Sequence, residues 1–600
     1  MKQEIFVTVV GTGADPRFRS AGPSWARAVL WALTLFSWSS CDSRNSNPSA
    51  SQRQGQVSPQ GGFTDITQQS RIDFWHDSGI DGSYFIAELL GSGGALFDYD
   101  NDGDLDLYLV NSGPHNREKQ PRKAPNRLYR QESDGTFQDV TPGSGLDDPG
   151  YGMGCAIGDL DNDGDLDVYV TNFGPDSLYL NGEGGKFTNI TAAAGIRGSQ
   201  WSSSAAFFDF DRDGFLDLFV ATYVNYDSPQ VCADEAGRPE YCGPNSFRGV
   251  PDLLYRNNRD RTFTDVSTLT HIDRLPNKGL GVVCADFNLD GWMDIYVAND
   301  GEKNDLWINE GGKRFEEQAL LWGAGFNIMG RPEGSMGIAV GDVEGDLDLD
   351  LFVTNMARET NTLYLNLGDS FLDKTQDSGM GPPSLAFTGF GTGFFDADLD
   401  GDLDALVVNG KVERGASASA AWLSNQAPPS PEIAAFHREY AETNLYLEND
   451  GSGKFRDASA EFPLLCGRAQ VGRGALFGDL DRDGDLDIVL TNCNGPTQIF
   501  RNDLPRKGHW LIVRAIDPEL NRDAIGASVI LEANGKSFLR PVQHAYSYLC
   551  SMDAAVHFGI GPAERVDRIT VHWPDRSKEE FPGVSADQEV KVIKGHGRRK

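Results

Sequence analysis

The sequence predicts an all-β protein, a seven-bladed β-propeller followed by a small β-rich domain. Three observations support this prediction. An acidic nine-residue loop recurs seven times between residues 98 and 487, an aromatic strand follows each copy, and a strand of the type F-x-D-x-T also occurs seven times. A unit that recurs along the chain indicates a repeat architecture, and four short antiparallel strands per unit are typical of one propeller blade.

The first copy of the loop lies in "DYDNDGDLDLYLVN" (98–111), which places five aspartates within nine positions. Two carboxylates about 4 Å apart repel each other by roughly 1 kcal/mol in water and by about 4 kcal/mol near a protein surface. A hard dication would offset this repulsion, and Ca²⁺ takes oxygen ligands from alternate positions of a tight loop. The side chains at positions one, three, five and nine and the carbonyl at position seven would bind it, while glycine at position six permits the turn. We therefore expect up to seven bound Ca²⁺ ions.

An EF-hand begins with the same spacing, but it needs a bidentate glutamate at position twelve on an exiting helix. Position twelve is Leu109. It lies in an alternation of Leu105, Leu107 and Leu109, which is the period of a half-buried strand. The predicted cation therefore lies between two strands.

The seven loops are numbered in chain order, from loop 1 (98–106) to loop 7 (479–487). The predicted metal-binding residues at positions one, three, five, seven and nine are Asp98, Asp100, Asp102, Asp104 and Asp106; Asp159, Asp161, Asp163, Asp165 and Asp167; Asp209, Asp211, Asp213, Phe215 and Asp217; Asp286, Asn288, Asp290, Trp292 and Asp294; Asp342, Glu344, Asp346, Asp348 and Asp350; Asp396, Asp398, Asp400, Asp402 and Asp404; and Asp479, Asp481, Asp483, Asp485 and Asp487. Loop 5 departs from the pattern, because Leu347 replaces the turn glycine and Glu344 replaces the position-three aspartate. We expect loop 5 to be the weakest site.

The other strands of each unit complete the blade. The aromatic strand is "RLYRQ" (127–131) in the first unit and "QIFRN" (498–502) in the last. "FTDIT" (63–67) precedes the first loop, whereas no such strand follows Asn502, so we expect 63–67 to complete the last blade and close the ring. The strands that lead into the loops, such as "GGALF" and "GCAIG", are rich in small residues, which suits the crowded channel-lining position.

These loops with their flanking strands resemble the FG-GAP and VCBS repeat families. Residues 507–595, with "NRDAIGA" (521–527), "HFGIG" (557–561) and "VHWP" (571–574), resemble the ASPIC/UnbV domain. The pairing is similar to the cartilage acidic proteins and their bacterial relatives. One departure is Asp575 and Arg576 after "WP", where that family usually has a small residue and glycine. The predicted domains are a propeller over 62–503 and an ASPIC/UnbV-like domain over 507–595.

The charge balance excludes one class of partner. The chain has 88 acidic and 53 basic residues, a net charge of −35, whereas nucleic-acid binding needs a clustered basic surface. Positions one, three, five and nine of the seven loops are acidic everywhere except at Asn288, so much of the charge belongs to predicted metal ligands.

The amino terminus predicts export. Arg17, Arg19 and Arg27 precede an apolar run over 28–38 that is too short for a transmembrane helix but suits an export signal. The run ends at "SWSSC", which resembles a bacterial lipobox with Cys41 as the lipidated residue, although Trp38 stands where leucine is usual. We expect a signal peptide over 1–41 and a disordered linker over 42–61. Lipidation and simple cleavage with secretion both remain open, so the protein is a surface, periplasmic or outer-membrane lipoprotein or a secreted protein, and only a lipid anchor would contact a membrane.

Eight cysteines in an exported chain raise the question of disulfides. Cys232 and Cys242 lie in one hydrophilic insertion and are the best candidate pair. Cys466 with Cys493 is a second candidate pair. Cys155, Cys284 and Cys550 are interpreted as buried thiols.

The predicted function is binding or adhesion to an extracellular protein or glycan. The two longest insertions, about 224–250 and 409–441, project from the face opposite the metal loops, and Tyr241, Phe247 and Trp422 are candidate aromatic contacts. The alternative for these insertions is that they cover the channel mouth or pack on a neighbouring domain. The alternative function is a propeller enzyme, a hydrolase or lyase acting on polysaccharide in the central channel. The sequence contains no nucleophile elbow, H-E-x-x-H pair, phosphate loop or Cys-His constellation, so we expect no enzyme and no catalytic residues.

Overall fold

A computed structural model describes residues 62–115, 124–198, 200–228, 230–414 and 428–600, together with the strand Thr8–Val9. The predicted signal peptide apart from that strand, Cys41, the linker over 42–61 and Trp422 lie outside the described residues. Within them, no helix is both long and apolar enough to cross a membrane.

Seven four-stranded antiparallel units lie within 62–502, and each is one blade; additional strands extend the sheets of blades 1 and 4. The strands, from the channel outward, are Gly94–Phe97, Asp106–Leu109, Arg127–Gln131 and Phe137–Asp139 in blade 1; Gly152–Gly158, Asp167–Asn172, Ser177–Leu180 and Thr188–Asn189 in blade 2; Ser202–Phe208, Asp217–Thr222, Leu253–Asn257 and Phe263–Asp265 in blade 3; Gly279–Ala285, Asp294–Glu302, Asp305–Asn309 and Phe315–Glu317 in blade 4; Ile338–Gly341, Asp350–Val353, Thr362–Asn366 and Phe371–Asp373 in blade 5; Gly389–Phe395, Asp404–Asn409, Leu445–Asn449 and Phe455–Asp457 in blade 6; and Gly472–Gly478, Asp487–Asn492, Gln498–Asn502 and Phe63–Asp65 in blade 7.

The blades form a closed ring. The innermost strand of each blade contacts that of the next, and the innermost strand of blade 7 contacts that of blade 1. Phe63 pairs with Asn502 at the outer edge of blade 7, which confirms that the residues before blade 1 complete the last blade. Closure joins the two ends of the ring and protects the strand edges that an open sheet would expose.

Short helices and strands lie in the links and insertions. The helices are Ile86–Leu89, Thr191–Ala194, Pro244–Ser246, Ser267–Thr270, Ile272–Arg274, Ala319–Trp322, Thr375–Ser378, Gly381–Ser384, Pro431–Tyr440 and Ser459–Glu461, and the additional strands are Val224–Asn225, Cys232–Ala233, Pro239–Glu240, Arg248–Gly249 and Glu333–Gly334. Cys232 and Cys242 form a disulfide within the first insertion. Cys466 and Cys493 are separate buried thiols, so the second candidate pair is wrong.

The C-terminal module (510–599) consists of two packed sheets, whose shared core includes Leu511, Val529, Phe558 and Trp573. The first sheet contains Trp510–Asp517, Arg522–Asp523, Val556–Gly559, Gln588–Ile593 and Thr8–Val9. The second contains Lys536–Pro541, Ser528–Ala533, Arg568–His572, Lys578–Pro582 and Arg598–Arg599. The last strand extends the module beyond the predicted boundary at 595, because Glu579 pairs with Arg599.

A hairpin of this module fills the propeller channel. The channel hairpin is made of the strands Ala545–Tyr546 and Cys550–Ser551 with the turn between them. Cys550 and Ser551 extend the sheet of blade 1 by pairing in parallel with Gly94 and Ala95. The hairpin contacts the innermost strands of the remaining blades as well, for example through Ser547 and Ile338 of blade 5, which exchange two backbone hydrogen bonds of 2.7 and 3.0 Å.

The close approach of the hairpin explains the small residues of the innermost strands. A Cβ atom at Gly154 would lie 2.7 Å from the carbonyl oxygen of Leu549, and one at Gly474 would lie 2.6 Å from the Sγ atom of Cys550. The glycines therefore admit a segment from a different domain.

Candidate metal centres

Each acidic loop is folded by its own position-one carboxylate. In loop 1, Asp98 accepts hydrogen bonds from the backbone N–H groups of Asp102 and Gly103, at 3.1 and 2.8 Å. Asp159, Asp209, Asp286, Asp342, Asp396 and Asp479 accept the corresponding amides of their loops. The turn therefore holds its ligand side chains close together by local hydrogen bonds.

The position-nine carboxylate ties each loop to the aromatic strand. Asp106 accepts the backbone N–H of Tyr99 in its own loop at 3.1 Å and that of Gln131 in the third strand at 2.8 Å. The equivalent aspartate of every other loop accepts the corresponding third-strand amide. The sequence predicted a ligand at this position but not this second role, which joins loop and strand.

Two position-three carboxylates carry oxygens that fit a cation. Asp100 Oδ1 and Asp161 Oδ1 are buried and accept no hydrogen bond. A buried carboxylate oxygen without a donor costs free energy. A hard dication bound by the carboxylates of the same loop would satisfy these oxygens, so the donor set fits such an ion.

Five loops bring three carboxylates close enough to share an ion. Their carboxylate oxygens lie within 4.8 Å of one another in the groups Asp98, Asp100 and Asp106; Asp159, Asp161 and Asp167; Asp209, Asp211 and Asp217; Asp396, Asp398 and Asp400; and Asp479, Asp481 and Asp483. Loops 4 and 5 form no such three-residue group among the described residues. In loop 4 the position-three residue is Asn288, whose amide oxygen is a neutral ligand. Several aspartate clusters of this propeller can therefore hold a cation.

Burial and mutual repulsion raise the pKa values of these carboxylates. The pKa of Asp98 is raised to about 6 and that of Asp159 to about 7, mainly by burial and also by the other aspartates of each loop, while the amide hydrogen bonds oppose the shift. Burial raises the pKa of Asp106 to about 8. A nearby positive charge favours the ionised form of a carboxylate, so a bound dication would lower all three pKa values.

One residue of every loop has a left-handed backbone conformation that the sequence did not predict. Position four adopts a left-handed conformation in every loop, with φ of 59° at Asn101 and 58° at Arg212, for example. In loop 5 the glycine stands at position four, Gly345, and Leu347 at position six takes φ of 72°. Leucine is unfavourable in this region. Leu289 and Leu399 take the same conformation at position four of loops 4 and 6, so this strain does not single out loop 5, and the weakness of its site stays a prediction.

The C-terminal module covers the loop face of the ring. Arg522 donates to Asn162 Oδ1 of loop 2 at 2.9 Å and to the Gly214 carbonyl of loop 3 at 3.2 Å. His557 of the module contacts the Gly484 carbonyl of loop 7 at 2.9 Å. The loops therefore face a domain of their own chain.

The opposite face carries the insertions, and one predicted aromatic contact there is wrong. Tyr241 is buried, and its hydroxyl donates to Glu88 Oε2 at 2.9 Å. Its ring lies in the apolar cluster that caps the channel, because the insertion folds inward over the channel mouth. Phe247 is half-buried and packs against Tyr226, with ring centroids 5.1 Å apart.

Family comparisons agree with the repeats and the module. The profile of the FG-GAP-like repeat matches residues 98–170, 159–220, 237–297 and 286–353, and that of the ASPIC and UnbV family matches residues 517–599. The chain is an FG-GAP-repeat protein with an ASPIC/UnbV domain. The FG-GAP matches contain loops 1 to 5, and the ASPIC/UnbV match contains the channel hairpin and Arg522.

Curated relatives of this FG-GAP protein are cartilage acidic proteins. The chain is 25% identical over 333 residues to cartilage acidic protein 1 of Xenopus tropicalis, covering 54% of this chain and 38% of the relative. It is 27% identical over 390 residues to that of Mus musculus, covering 55% and 58%. The chain thus spans less than two thirds of the length of these relatives. Among solved structures, the BP39L lectin of Burkholderia pseudomallei aligns over 69% of this chain and 97% of its own, with 10% identity and a TM-score of 0.40.

Proposed function

We propose that this protein is exported, binds calcium through its FG-GAP loops, and acts in binding or adhesion to an extracellular protein or glycan. The buried position-three oxygens that accept no hydrogen bond, Asp100 Oδ1 and Asp161 Oδ1, support the cation site most strongly. Oxygen-only donor sets favour Ca²⁺ or Mg²⁺ over softer metals, and a flexible loop with several carboxylates favours the larger ion.

Calcium binding and export support each other. Extracellular calcium modules typically bind at about 0.1 to 1 mM, a supply that the resting cytosol lacks. At free calcium about ten times Kd, each site would contribute roughly 1.4 kcal/mol to stability. Five to seven sites would together approach the stability of a whole domain.

The face opposite the loops is the proposed partner surface. The module covers the loop face, and the hairpin fills the channel. Exposed apolar side chains occur in the inter-blade links and the first insertion, segments that join strands at the end opposite the acidic loops: Val231, Leu269, Leu320, Leu321, Ile328, Met329, Leu385 and Leu464. A cleft of about 470 Å³, lined in part by Arg331, Glu333 and Glu359, lies in the same region. Contiguous exposed apolar patches rimmed by polar residues are typical of protein interaction sites.

A channel enzyme receives no support from this arrangement. Tyr548 of the hairpin is fully buried in the channel, and Arg473 of blade 7, also fully buried, donates to the backbone carbonyl of Leu89 at 2.6 Å. The space in which a propeller enzyme of the predicted alternative type would hold its substrate is therefore filled by protein.

Calcium stoichiometry tests the ligand assignment. Asp102→Ala and Asp483→Ala each remove one position-five carboxylate, and each should reduce the number of bound calcium ions by one in isothermal titration. Asp104→Ala is the matched control, because position seven would bind through its backbone carbonyl and its side chain pairs with Arg482 at 2.6 Å. Equal stoichiometry in Asp102→Ala and the wild type would refute the assignment.

Arrays of glycans and of extracellular proteins test the partner class. Binding should require calcium and should weaken when Ile328 and Met329 are both replaced by serine. Leu289→Ser, at an exposed apolar position on the loop face, is the control. If Leu289→Ser abolished binding while the double serine variant of Ile328 and Met329 did not, the partner would not bind at the proposed surface.

A further inference from the structure

We propose that loops 7, 1, 2, 3 and 4 bind calcium as a coupled arc, in which the position-four side chain of each loop positions the next loop. This inference rests on the proposed calcium function. It assigns to Arg482, Asn101, Asn162 and Arg212 a role as positioning residues, although none of them is a predicted ligand.

The position-four contacts run in one direction around the ring. Arg482 of loop 7 donates to the Gly103 carbonyl of loop 1. Asn101 of loop 1 donates to Asp165 Oδ1 of loop 2 at 2.7 Å and lies 3.5 Å from the Gly164 carbonyl. Asn162 of loop 2 donates to the Gly214 carbonyl of loop 3 at 3.1 Å.

The arc continues to loop 4 through an aromatic contact. The guanidinium of Arg212, at position four of loop 3, lies 3.6 Å from the ring centroid of Trp292, at position seven of loop 4. A cation over an indole ring is attracted by the negative face of its π-system. Each contact reaches position six or seven of the next loop, next to the carbonyl that would bind the ion.

The arrangement ends at loop 4. The position-four residues of loops 4, 5 and 6 are Leu289, Gly345 and Leu399, which have no polar side-chain group to reach the next loop. The ring is thus divided into a linked arc and an unlinked remainder.

Arg522 of the ASPIC/UnbV domain reinforces the contact between loops 2 and 3. Its Nε donates to Asn162 Oδ1 and its second terminal nitrogen to the Gly214 carbonyl, at 2.9 and 3.2 Å. The same carbonyl accepts the Asn162 amide, so the three groups form a closed set of hydrogen bonds. Arg522 contacts neutral acceptors and does not itself pair with the carboxylates of either loop, whereas Arg261 pairs with Asp161 and Arg259 with Asp213.

Calcium binding at loops 2 and 3 should be coupled, because the hydrogen bonds between the loops allow an ion in one loop to order the other. A calcium ion that orders loop 3 fixes the Gly214 carbonyl, which holds Asn162 and the turn of loop 2. The second ion then binds a loop whose conformational freedom is already reduced, and this gives positive cooperativity. One neutral hydrogen bond corresponds to a change of about two- to twelvefold in affinity.

Hydrogen exchange of individual loops measures this coupling. Calcium is titrated into the full chain, and the calcium concentration that half-protects the peptide of loop 2 (159–167) is followed by mass spectrometry. Asp213→Ala, which weakens loop 3, should raise that midpoint by about two- to twelvefold. In an Asn162→Ala background, Asp213→Ala should produce no further shift. The peptide of loop 6 (396–404) should keep its wild-type midpoint in all variants.

Controls separate this inference from the proposed function and from misfolding. Leu289→Ala changes position four of loop 4, the last loop of the arc, whose side chain has no polar group to reach loop 5, and it should leave loop 2 unaffected. Asn162 is half-exposed, so its replacement tests the coupling without opening the core, whereas Arg522→Gln alters a buried group and gives a second, independent variant. If the loops become protected by calcium but Asp213→Ala leaves the loop 2 midpoint unchanged, the coupled arc is wrong. If calcium protects no loop, the proposed function fails instead.

Discussion

Tyr548 of the C-terminal module packs against Phe390 of blade 6 inside the propeller channel, with ring centroids 4.9 Å apart and planes at 70°. Its hydroxyl donates to the Leu90 carbonyl at 3.0 Å. Leu90 belongs to the segment that caps the channel from the opposite face. One side chain thus joins the module, the ring and the cap.

Replacing Tyr548 with alanine should destabilise module and propeller together. Large-to-small changes of buried aromatic residues cost about 3 to 5 kcal/mol. Tyr548→Phe removes only the hydrogen bond and should cost about 1 kcal/mol. Urea unfolding monitored by tryptophan fluorescence and circular dichroism compares the two variants; equal and negligible effects would show that the hairpin contributes little to either domain.

Gly484→Ala should disrupt the contact between loop 7 and the module. Gly484 has φ of 96°, and a Cβ atom there would overlap the Trp510 side chain. Gly143→Ala is the control, since Gly143 has φ of 93° and no atom within 4 Å of its Cβ position. In both variants, alanine in the left-handed backbone conformation should lower the free energy of unfolding by about 1 to 2 kcal/mol. In Gly484→Ala, overpacking should lower it by a further 1 to 3 kcal/mol or so. Identical unfolding free energies in the two variants would contradict the contact.

The sequence predicted the ring but not what fills it. The repeats fixed seven blades, and the lone F-x-D-x-T strand before loop 1 predicted ring closure through Phe63. The segment 544–553 gave no such signal, because its partners lie some 150 to 450 residues earlier in the chain and its pattern is that of any short hairpin. Small residues such as Gly154 indicate crowding, but they carry no sign that the crowding atoms belong to Leu549.

The ligand positions of the loops were easier to predict than the backbone conformation of the loops. Acidic residues at alternate positions are a pattern that can be recognised directly in the sequence. The left-handed conformation at position four could not be recognised, since Asn101, Arg212 and Leu399 share no residue type. Tyr241 is a candidate contact because its insertion is expected to project from the ring, but the disulfide-linked insertion folds back onto Glu88.

Glu88 should make stability fall as pH rises. Burial raises the pKa of Glu88 to about 8, partly opposed by the hydrogen bond from Tyr241, and the charge of Asp81 adds to the rise. Between about pH 5 and pH 8, Glu88 keeps its proton in the folded chain but loses it in the unfolded chain. Its contribution to the free energy of unfolding is therefore fully present below the unfolded pKa and is lost as the pH rises through the folded pKa. Over this range Glu88 should lower the free energy of unfolding of the wild type by about 2 to 5 kcal/mol, and this decrease should be absent in Glu88→Gln. The comparison is made at saturating calcium, and parallel pH profiles of wild type and variant would be inconsistent with a buried neutral Glu88.

Calcium removal should lower the melting temperature by more than about 10 °C, because several sites at roughly 1.4 kcal/mol each add up to a large part of the stability of the ring. Scanning calorimetry in calcium and in excess EDTA measures the shift, and magnesium in place of calcium tests the choice of ion. A melting temperature that is the same in calcium and in EDTA would show that the loops fold without an ion.

The most direct test of the central claim, that the acidic loops hold calcium, is metal analysis of the purified full chain after dialysis against millimolar calcium. Five loops bring three carboxylates together, so we expect at least five calcium ions per chain. A chain that retains no calcium above the dialysis background would contradict the account.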